Sequence, residues 1–296
     1  MINPLRKCTL CPRNCQVNRY IETGYCKAKA KIKVALASVH MWEEPCISGE
    51  NGSGTIFFSH CNMGCIYCQN YKISKGYGKE ISVKRFKEIC LELQSKNVNN
   101  INLVTPTHYT PLIKKGLLKA KEEGLTIPIV YNTSSYENVD TIKMMNNIVD
   151  IYLADLKYYD DTYARKYSNA PNYFNYATMA IDEMYKQVGK PKFDKKGIMK
   201  KGLIVRVLLL PNRVEDAKKI IKYLHDKYDD NIFISIMNQY TPVKKLKYDE
   251  LNRKVQDSEY DELINYACDI GVVNAYIQEG ETQKESFIPN FNKTGI

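Results

Sequence analysis

No stretch of roughly 18 apolar residues occurs in the 296-residue chain, so no membrane-spanning helix is expected. The opening run Met1-Ile2-Asn3-Pro4-Leu5-Arg6-Lys7-Cys8 lacks the apolar core of a secretion signal, and the expected setting is the cytoplasm, with no membrane partner. Also missing is any interleaved basic and aromatic motif of a recognised RNA-binding module. The formal net charge of +10 therefore decides little, because the lysines are scattered: Lys27, Lys29, Lys31 and Lys33 alternate, Lys195-Lys196 and Lys200-Lys201 flank a turn, and Lys244, Lys245 and Lys247 form a third group. Solvated lysine on loops and strand faces accounts for them, and a nucleic-acid partner ranks behind other readings. A disulfide framework is not expected either. Ten cysteines without a secretion signal belong to a reducing compartment, where clustered thiols bind metal.

Seven of the ten cysteines fall in two groups. The first is Ser59-His60-Cys61-Asn62-Met63-Gly64-Cys65-Ile66-Tyr67-Cys68-Gln69-Asn70, placed just after the apolar run Thr55-Ile56-Phe57-Phe58 and so on a loop leaving a strand. Thiolates are soft ligands for iron–sulfur clusters or zinc, and a four-iron cluster normally takes four. Three leave one iron open, which is the mark of a reactive centre; the rival readings are a zinc knuckle with a distant fourth ligand and plain buried thiols. The second group, Cys8, Cys11, Cys15 and Cys26, supplies enough thiols to close a zinc site or to hold a whole iron–sulfur cluster. Such a short segment needs a staple to fold, and the spacing does not discriminate the two metals. Cys90 and Cys268 fall within helix patterns and are expected to be small core residues, and Cys46 is expected to be an inert thiol, with a redox-active thiol and a spare ligand as the alternatives.

From residue 55 onward, short near-continuous apolar runs alternate with helical patterns. Strands are predicted at 55–58, 101–105, 127–131, 148–154, 203–210 and 232–237, and helices at 83–95, 111–123, 173–188, 214–228 and 258–270. Six strand–helix repeats imply a parallel α/β sheet with right-handed crossovers, and six rather than eight imply an open barrel. The expected fold is thus α/β, a partial (β/α)6 barrel over 51–296 with a C-terminal tail, preceded by a small cysteine-rich metal-binding extension over 1–50. Reacting groups in parallel barrels gather at the carboxyl ends of the strands, so the segments after each strand form the candidate site inventory.

The Cys-x3-Cys-x2-Cys spacing resembles the signature of the radical S-adenosylmethionine (SAM) superfamily. Val104-Thr105-Pro106-Thr107-His108-Tyr109, Tyr131-Asn132-Thr133-Ser134-Ser135-Tyr136, Tyr152-Leu153-Ala154-Asp155-Leu156-Lys157, Met237-Asn238-Gln239-Tyr240-Thr241-Pro242 and the tail Ile288-Pro289-Asn290-Phe291 narrow it. With the N-terminal Cys-x2-Cys-Pro-Arg-x-Cys motif, they resemble the uncharacterised iron–sulfur proteins related to pyruvate formate-lyase activating enzyme. The resemblance implies a 4Fe-4S cluster on Cys61, Cys65 and Cys68, with SAM chelating the fourth iron. It implies an oxidoreductase that reductively cleaves SAM to a 5'-deoxyadenosyl radical for hydrogen abstraction, fed by an electron donor such as flavodoxin or ferredoxin. It also implies Tyr67 near the adenine and Lys157 on the SAM carboxylate, with Asp155 holding a nearby polar group.

Other contacts stay open. Thr107 and His108 stand where many relatives carry Gly-Gly-Glu, and His108 is either catalytic or bonded to a loop carbonyl. Asn132 and Ser134 are SAM contacts or helix caps. Asp155 and Lys157 lie on one strand face and serve a ligand or a salt bridge. Arg206, inside Leu203-Ile204-Val205-Arg206-Val207-Leu208, needs a buried partner, either SAM or an acid. Val207 stands where the subfamily commonly has histidine. The expected substrate is a backbone glycine of a glycyl-radical protein; the alternatives are a small molecule or peptide, RNA, or, without catalysis, a role as iron–sulfur electron carrier.

Overall fold

The computed structural model describes residues 3–278 and 289–296; Ile288 of the tail motif lies outside the described residues. In chain order the strands are β1 (Ile32–His40), β2 (Ser53–Phe58), β3 (Lys79–Ile81), β4 (Ile101–Val104), β5 (Ile129–Thr133), β6 (Ile151–Asp155), β7 (Lys192–Phe193), β8 (Met199–Leu208), β9 (Phe233–Met237) and β10 (Ala275–Ile277). The α-helices are α1 (Pro45–Ser48), α2 (Tyr71–Ser74), α3 (Val83–Gln94), α4 (Thr110–Glu122), α5 (Val139–Lys143), α6 (Asp161–Ser168), α7 (Tyr173–Val188), α8 (Val214–Tyr228) and α9 (Asp257–Asp269). Their starts follow from local chemistry. The Ser82 hydroxyl accepts from the Arg85 amide to open α3, Asp160 accepts from Thr162 to open α6, and Gln256 and Glu259 form a reciprocal capping box at α9.

The strands form one sheet in the order β10-β9-β8-β6-β5-β4-β2-β1-β3, with β7 paired to β8 beside it. From β2 to β10 the neighbours along this path run parallel, whereas β1 is antiparallel to both β2 and β3. β3 and β10 are the free ends, so the sheet curls into an open barrel, as the repeat count implies. All six predicted strands are present. Three further strands extend the sheet: β10 adds a parallel strand after β9, β1, within the cysteine-rich segment, pairs along the whole of β2 from Val34 opposite Phe58 to His40 opposite Ser53, and β3 pairs with the other edge of β1.

Strand alternation sorts the side chains. Leu203, Val205 and Val207 of β8 join the core beneath α7, α8 and α9, while Ile204 faces the barrel interior with Val130, Ile151, Leu153 and Met199. Into that interior α1 inserts Cys46 and Ile47 from the amino ends of the strands. The side-chain amides of Asn99 and Asn100 donate to the Ser48 and Ile47 carbonyls at 2.6 and 2.8 Å, pinning this floor. Fully burying a residue such as Ile47 contributes roughly 1.5–3 kcal/mol, so the plug is a stable end to the cavity above it. The tail returns to the sheet: Phe291 packs edge-on against Phe57 at 5.4 Å, and the Ala37 amide donates to the Thr294 carbonyl. Cys90 is fully buried as expected, but Cys268 is exposed because it faces away from the buried side of α9 formed by Tyr260, Leu263 and Ala267. Among the described residues no helix is long and apolar enough to cross a membrane.

Candidate active site

β2 delivers the three-cysteine loop at its carboxyl end. His60 takes a left-handed conformation (φ 76°), turning the chain so that Cys61, Cys65 and Cys68 line one cavity of about 530 Å³ in the barrel mouth. Gly64 (φ 92°) sits between the first two cysteines, and a Cβ there would lie 2.9 Å from the Tyr25 hydroxyl; only glycine satisfies both demands. Thr105, which also lines the cavity, is a β-branched residue at φ 60°, a conformation costing about 1–3 kcal/mol and found where a site over-determines the backbone.

Hydrogen bonds reach two of the three sulfur atoms. The Met63 amide donates to Cys61 Sγ at 3.4 Å, and the Ser168 hydroxyl to Cys65 Sγ at 2.9 Å. A chain of hydroxyls leads on from there: Ser168 to Tyr158 and Tyr158 to Tyr67, each at 2.6 Å. Burial pushes the Cys61 thiol up to about 11 and the Cys68 thiol to about 12, with the neighbouring Cys65 adding to both. Such thiols keep their protons until a metal displaces them. Among the described residues no three His, Cys, Asp or Glu side chains converge closely enough to hold a single ion. Three soft thiolates on one loop suit an iron–sulfur cube, in which each would bind a separate iron.

Opposite the loop stands a buried polar network. The Asp155 carboxylate accepts from Lys157 Nζ at 2.7 Å and from Arg206 Nε at 2.7 Å, and Arg206 Nη2 donates to Asn132 Oδ1 at 2.7 Å. Burial would raise the Asp155 carboxyl, but Arg206 and Lys157 overcome it and hold the group below its ordinary value. Lys157 is likewise raised: burial opposes its charge, and Asp155 more than compensates. Asn132, Ser134, Asp155, Lys157, Arg206 and Tyr67 all line the cavity, so six of the eight barrel positions singled out in sequence are brought together. Val207 points the other way, into the core behind the sheet; an imidazole at that position on this strand would not reach the cavity.

Thr107 and His108 are placed elsewhere. The Thr107 hydroxyl donates to the Glu137 carboxylate at 2.6 Å, and His108 Nε2 donates to the Ser59 carbonyl at 2.8 Å, the second of the two roles open to it in sequence. Burial pulls the His108 imidazole down to about 3, with the Arg19 guanidinium adding to the effect, so it is neutral at physiological pH. Neither residue is among those lining the main cavity.

His108 instead lines a second, much smaller cavity, about 10 Å³, together with Cys8, Cys11, Cys15 and Cys26. The four N-terminal thiols thus share one space, although they stop short of single-ion convergence. Burial pushes Cys11 up to about 12. The segment is tied to the cluster loop: Arg13 donates to the Asn62 and Met63 carbonyls at 2.8 and 2.9 Å, and the Tyr25 hydroxyl donates to the Met63 carbonyl at 2.9 Å. Arg19, 1% exposed, donates to the Ala28, Lys29 and His108 carbonyls.

Sequence reasoning missed two acids, Glu43 and Glu44, which line the cavity floor just ahead of α1. Glu43 Oε1 accepts from the Asn102 amide at 2.8 Å, and its Oε2 lies 3.5 Å from Arg206 Nη1. Burial pushes both carboxyls up against the opposing pull of Arg206. The only signal available was a Glu-Glu pair beside a proline.

Residues 55–242 match the Radical SAM superfamily, and the chain belongs to that superfamily. A relative, the uncharacterized protein MJ0674 of Methanocaldococcus jannaschii, is 28% identical over 276 residues, covering 90% of this chain and 75% of the relative. Among solved structures, HydG, a maturase of the [FeFe]-hydrogenase, superposes with a TM-score of 0.51 at 15% identity over 77% of this chain and 52% of that protein, a likeness of fold alone. Streptococcus suis SuiB bound to S-adenosylmethionine is similar at TM-score 0.49 and 15% identity, over 75% of this chain and 49% of SuiB. The chain thus spans about half the length of these two solved proteins.

Proposed function

We propose that the protein binds a 4Fe-4S cluster through Cys61, Cys65 and Cys68 and cleaves SAM reductively, using the resulting 5'-deoxyadenosyl radical to abstract hydrogen from a substrate in the barrel mouth. The observation that carries this reading is the meeting of the three thiols with the Asp155–Lys157–Arg206 network in one cavity. The cluster, when bound, supplies the electron that breaks the carbon–sulfur bond. The chain's own residues do the holding. Lys157 offers its ammonium to the SAM carboxylate, Asp155 keeps Lys157 charged and holds both Lys157 and Arg206 in place, and Asn132 and Ser134 offer polar contacts to the methionine and ribose portions. Tyr67, buried beside Tyr240 at 5.8 Å, walls the adenine side.

The resemblance to glycyl-radical activating enzymes supports a backbone glycine of a partner protein as substrate, with flavodoxin or ferredoxin as electron source. A directly modified small molecule or peptide is the second reading, favoured by the acidic cavity floor. The N-terminal thiols are read as holding a second metal. Four thiolates close a tetrahedral zinc site with no further ligand. Changing Cys61, Cys65 and Cys68 together to alanine should leave about one zinc per chain by elemental analysis; a metal-free product contradicts this assignment.

The test of the main reading is the yield of 5'-deoxyadenosine from anaerobically reconstituted protein with dithionite and SAM. Wild type should produce it and Cys61→Ala should not; equal yields from the two would remove the ligand assignment.

A further inference from the structure

The cavity holds more carboxylates than cations. Glu43, Glu44 and Asp155 line it with Arg206 and Lys157, and Asp155 takes both cations at 2.7 Å. Glu43 is left with Arg206 at 3.5 Å and the Asn102 amide, while Glu44, 9% exposed, has an Oε2 with no hydrogen-bond partner. A buried acceptor without a donor costs about 1–3 kcal/mol, and more when it carries charge. Among the described residues lining the cavity, no third lysine or arginine joins this network. A ligand carrying N–H donors and positive charge would satisfy both deficits together, whereas an anionic ligand would worsen them. Beneath the acids, α1 fixes their position, so the floor is built rather than adaptable.

We propose that Glu43 and Glu44 form the anchoring subsite for the substrate and that it takes a cationic nitrogen, a primary ammonium or a guanidinium, carried by a free amine or by a Lys or Arg side chain of a peptide. The proposal rests on the radical SAM reading of the cavity and names the class of substrate it accepts. Glu43 and Glu44 hold the charged end at the floor; the carbon–hydrogen bonds of the same molecule then extend upward toward the cluster loop.

Isothermal titration of the full, reconstituted chain with SAM and without reductant tests this. The probes are putrescine, N-acetyl-glycyl-lysinamide, and 1,4-butanediol as the uncharged counterpart of the first. At least one charged probe should bind about tenfold or more tighter than the diol, and Glu44→Gln should remove that preference. The better of the two charged probes identifies a free amine or a peptide side chain as the source. Binding of no charged probe, equal binding of the diol, or an undiminished preference in a folded Glu44→Gln protein overturns the proposal; if that variant does not fold, the wild-type comparison decides alone. The same preparation assayed for 5'-deoxyadenosine separates the two levels: SAM cleavage without amine preference sinks the subsite only, and amine preference without SAM cleavage sinks the radical reading.

Discussion

Asp155 is the residue on which the polar side of the cavity turns, because its one carboxylate bonds both buried cations and holds the Lys157 ammonium charged against the pull of burial. Asp155→Asn leaves Lys157 and Arg206 close together without that charge. Loss of one partner from a buried ion pair costs about 3–5 kcal/mol, a loss that urea denaturation at pH 7 should register. The pH dependence has a definite sign. The folded carboxyl lies below its unfolded value, so its contribution is present above the unfolded value of about 3.9 and disappears as pH falls through the folded one. Denaturation midpoints of wild type should therefore fall in acid more steeply than those of Asp155→Asn. Ser168 makes a second prediction. Its hydroxyl donates to Cys65 Sγ, and hydrogen bonds to cluster sulfur favour the reduced state, so Ser168→Ala should move the cluster potential to more negative values in a redox titration followed by paramagnetic resonance. An unchanged potential would show that Cys65 carries no iron. Asp155 and Lys157 were legible in sequence because alternate residues of a strand share a face, and Arg206 because a charge in an apolar run must find a partner. Ser168 was not: it meets Cys65 across 103 residues, on a helix whose pattern the sequence left unread.

Between elements, the N-terminal segment acts as a brace for the cluster loop. Arg13 reaches two consecutive carbonyls, Asn62 and Met63, with one planar fork, and its guanidinium lies 3.7 Å from the Tyr25 ring centre. A lysine has no fork and cannot make both bonds in one plane. Arg13→Lys and Arg13→Ala should thus lower the iron retained per chain after gel filtration, while thermal melting of the barrel changes by no more than about 1–2 kcal/mol, the worth of the lost bonds. Full iron retention would show that the loop needs no brace. The cysteine spacing made this segment legible as a metal site, but not its attachment to the loop. Nor did it show β1, where Lys33 interrupts the apolar signal, or β10, which at three residues is too short to carry a period.

At the scale of the whole molecule, a parallel sheet that stops short of closure leaves a mouth with the cluster loop on one side and the Asp155 network on the other, over a floor sealed by α1. The six central strands were legible because burial on both faces makes their apolar runs continuous. The floor was not, because Glu43 and Glu44 lead into a four-residue helix with no period of its own and acquire their meaning only where the curled sheet surrounds them. The central claim is that three cysteines leave one iron free for SAM. The paramagnetic resonance spectrum of the dithionite-reduced cluster, recorded with and without SAM in protein whose Cys8, Cys11, Cys15 and Cys26 are intact, tests it most directly. A shift in the spectrum on adding SAM, absent from Cys61→Ala, is the result expected here; a spectrum indifferent to SAM would mean that every iron is already ligated by the chain and would contradict the account.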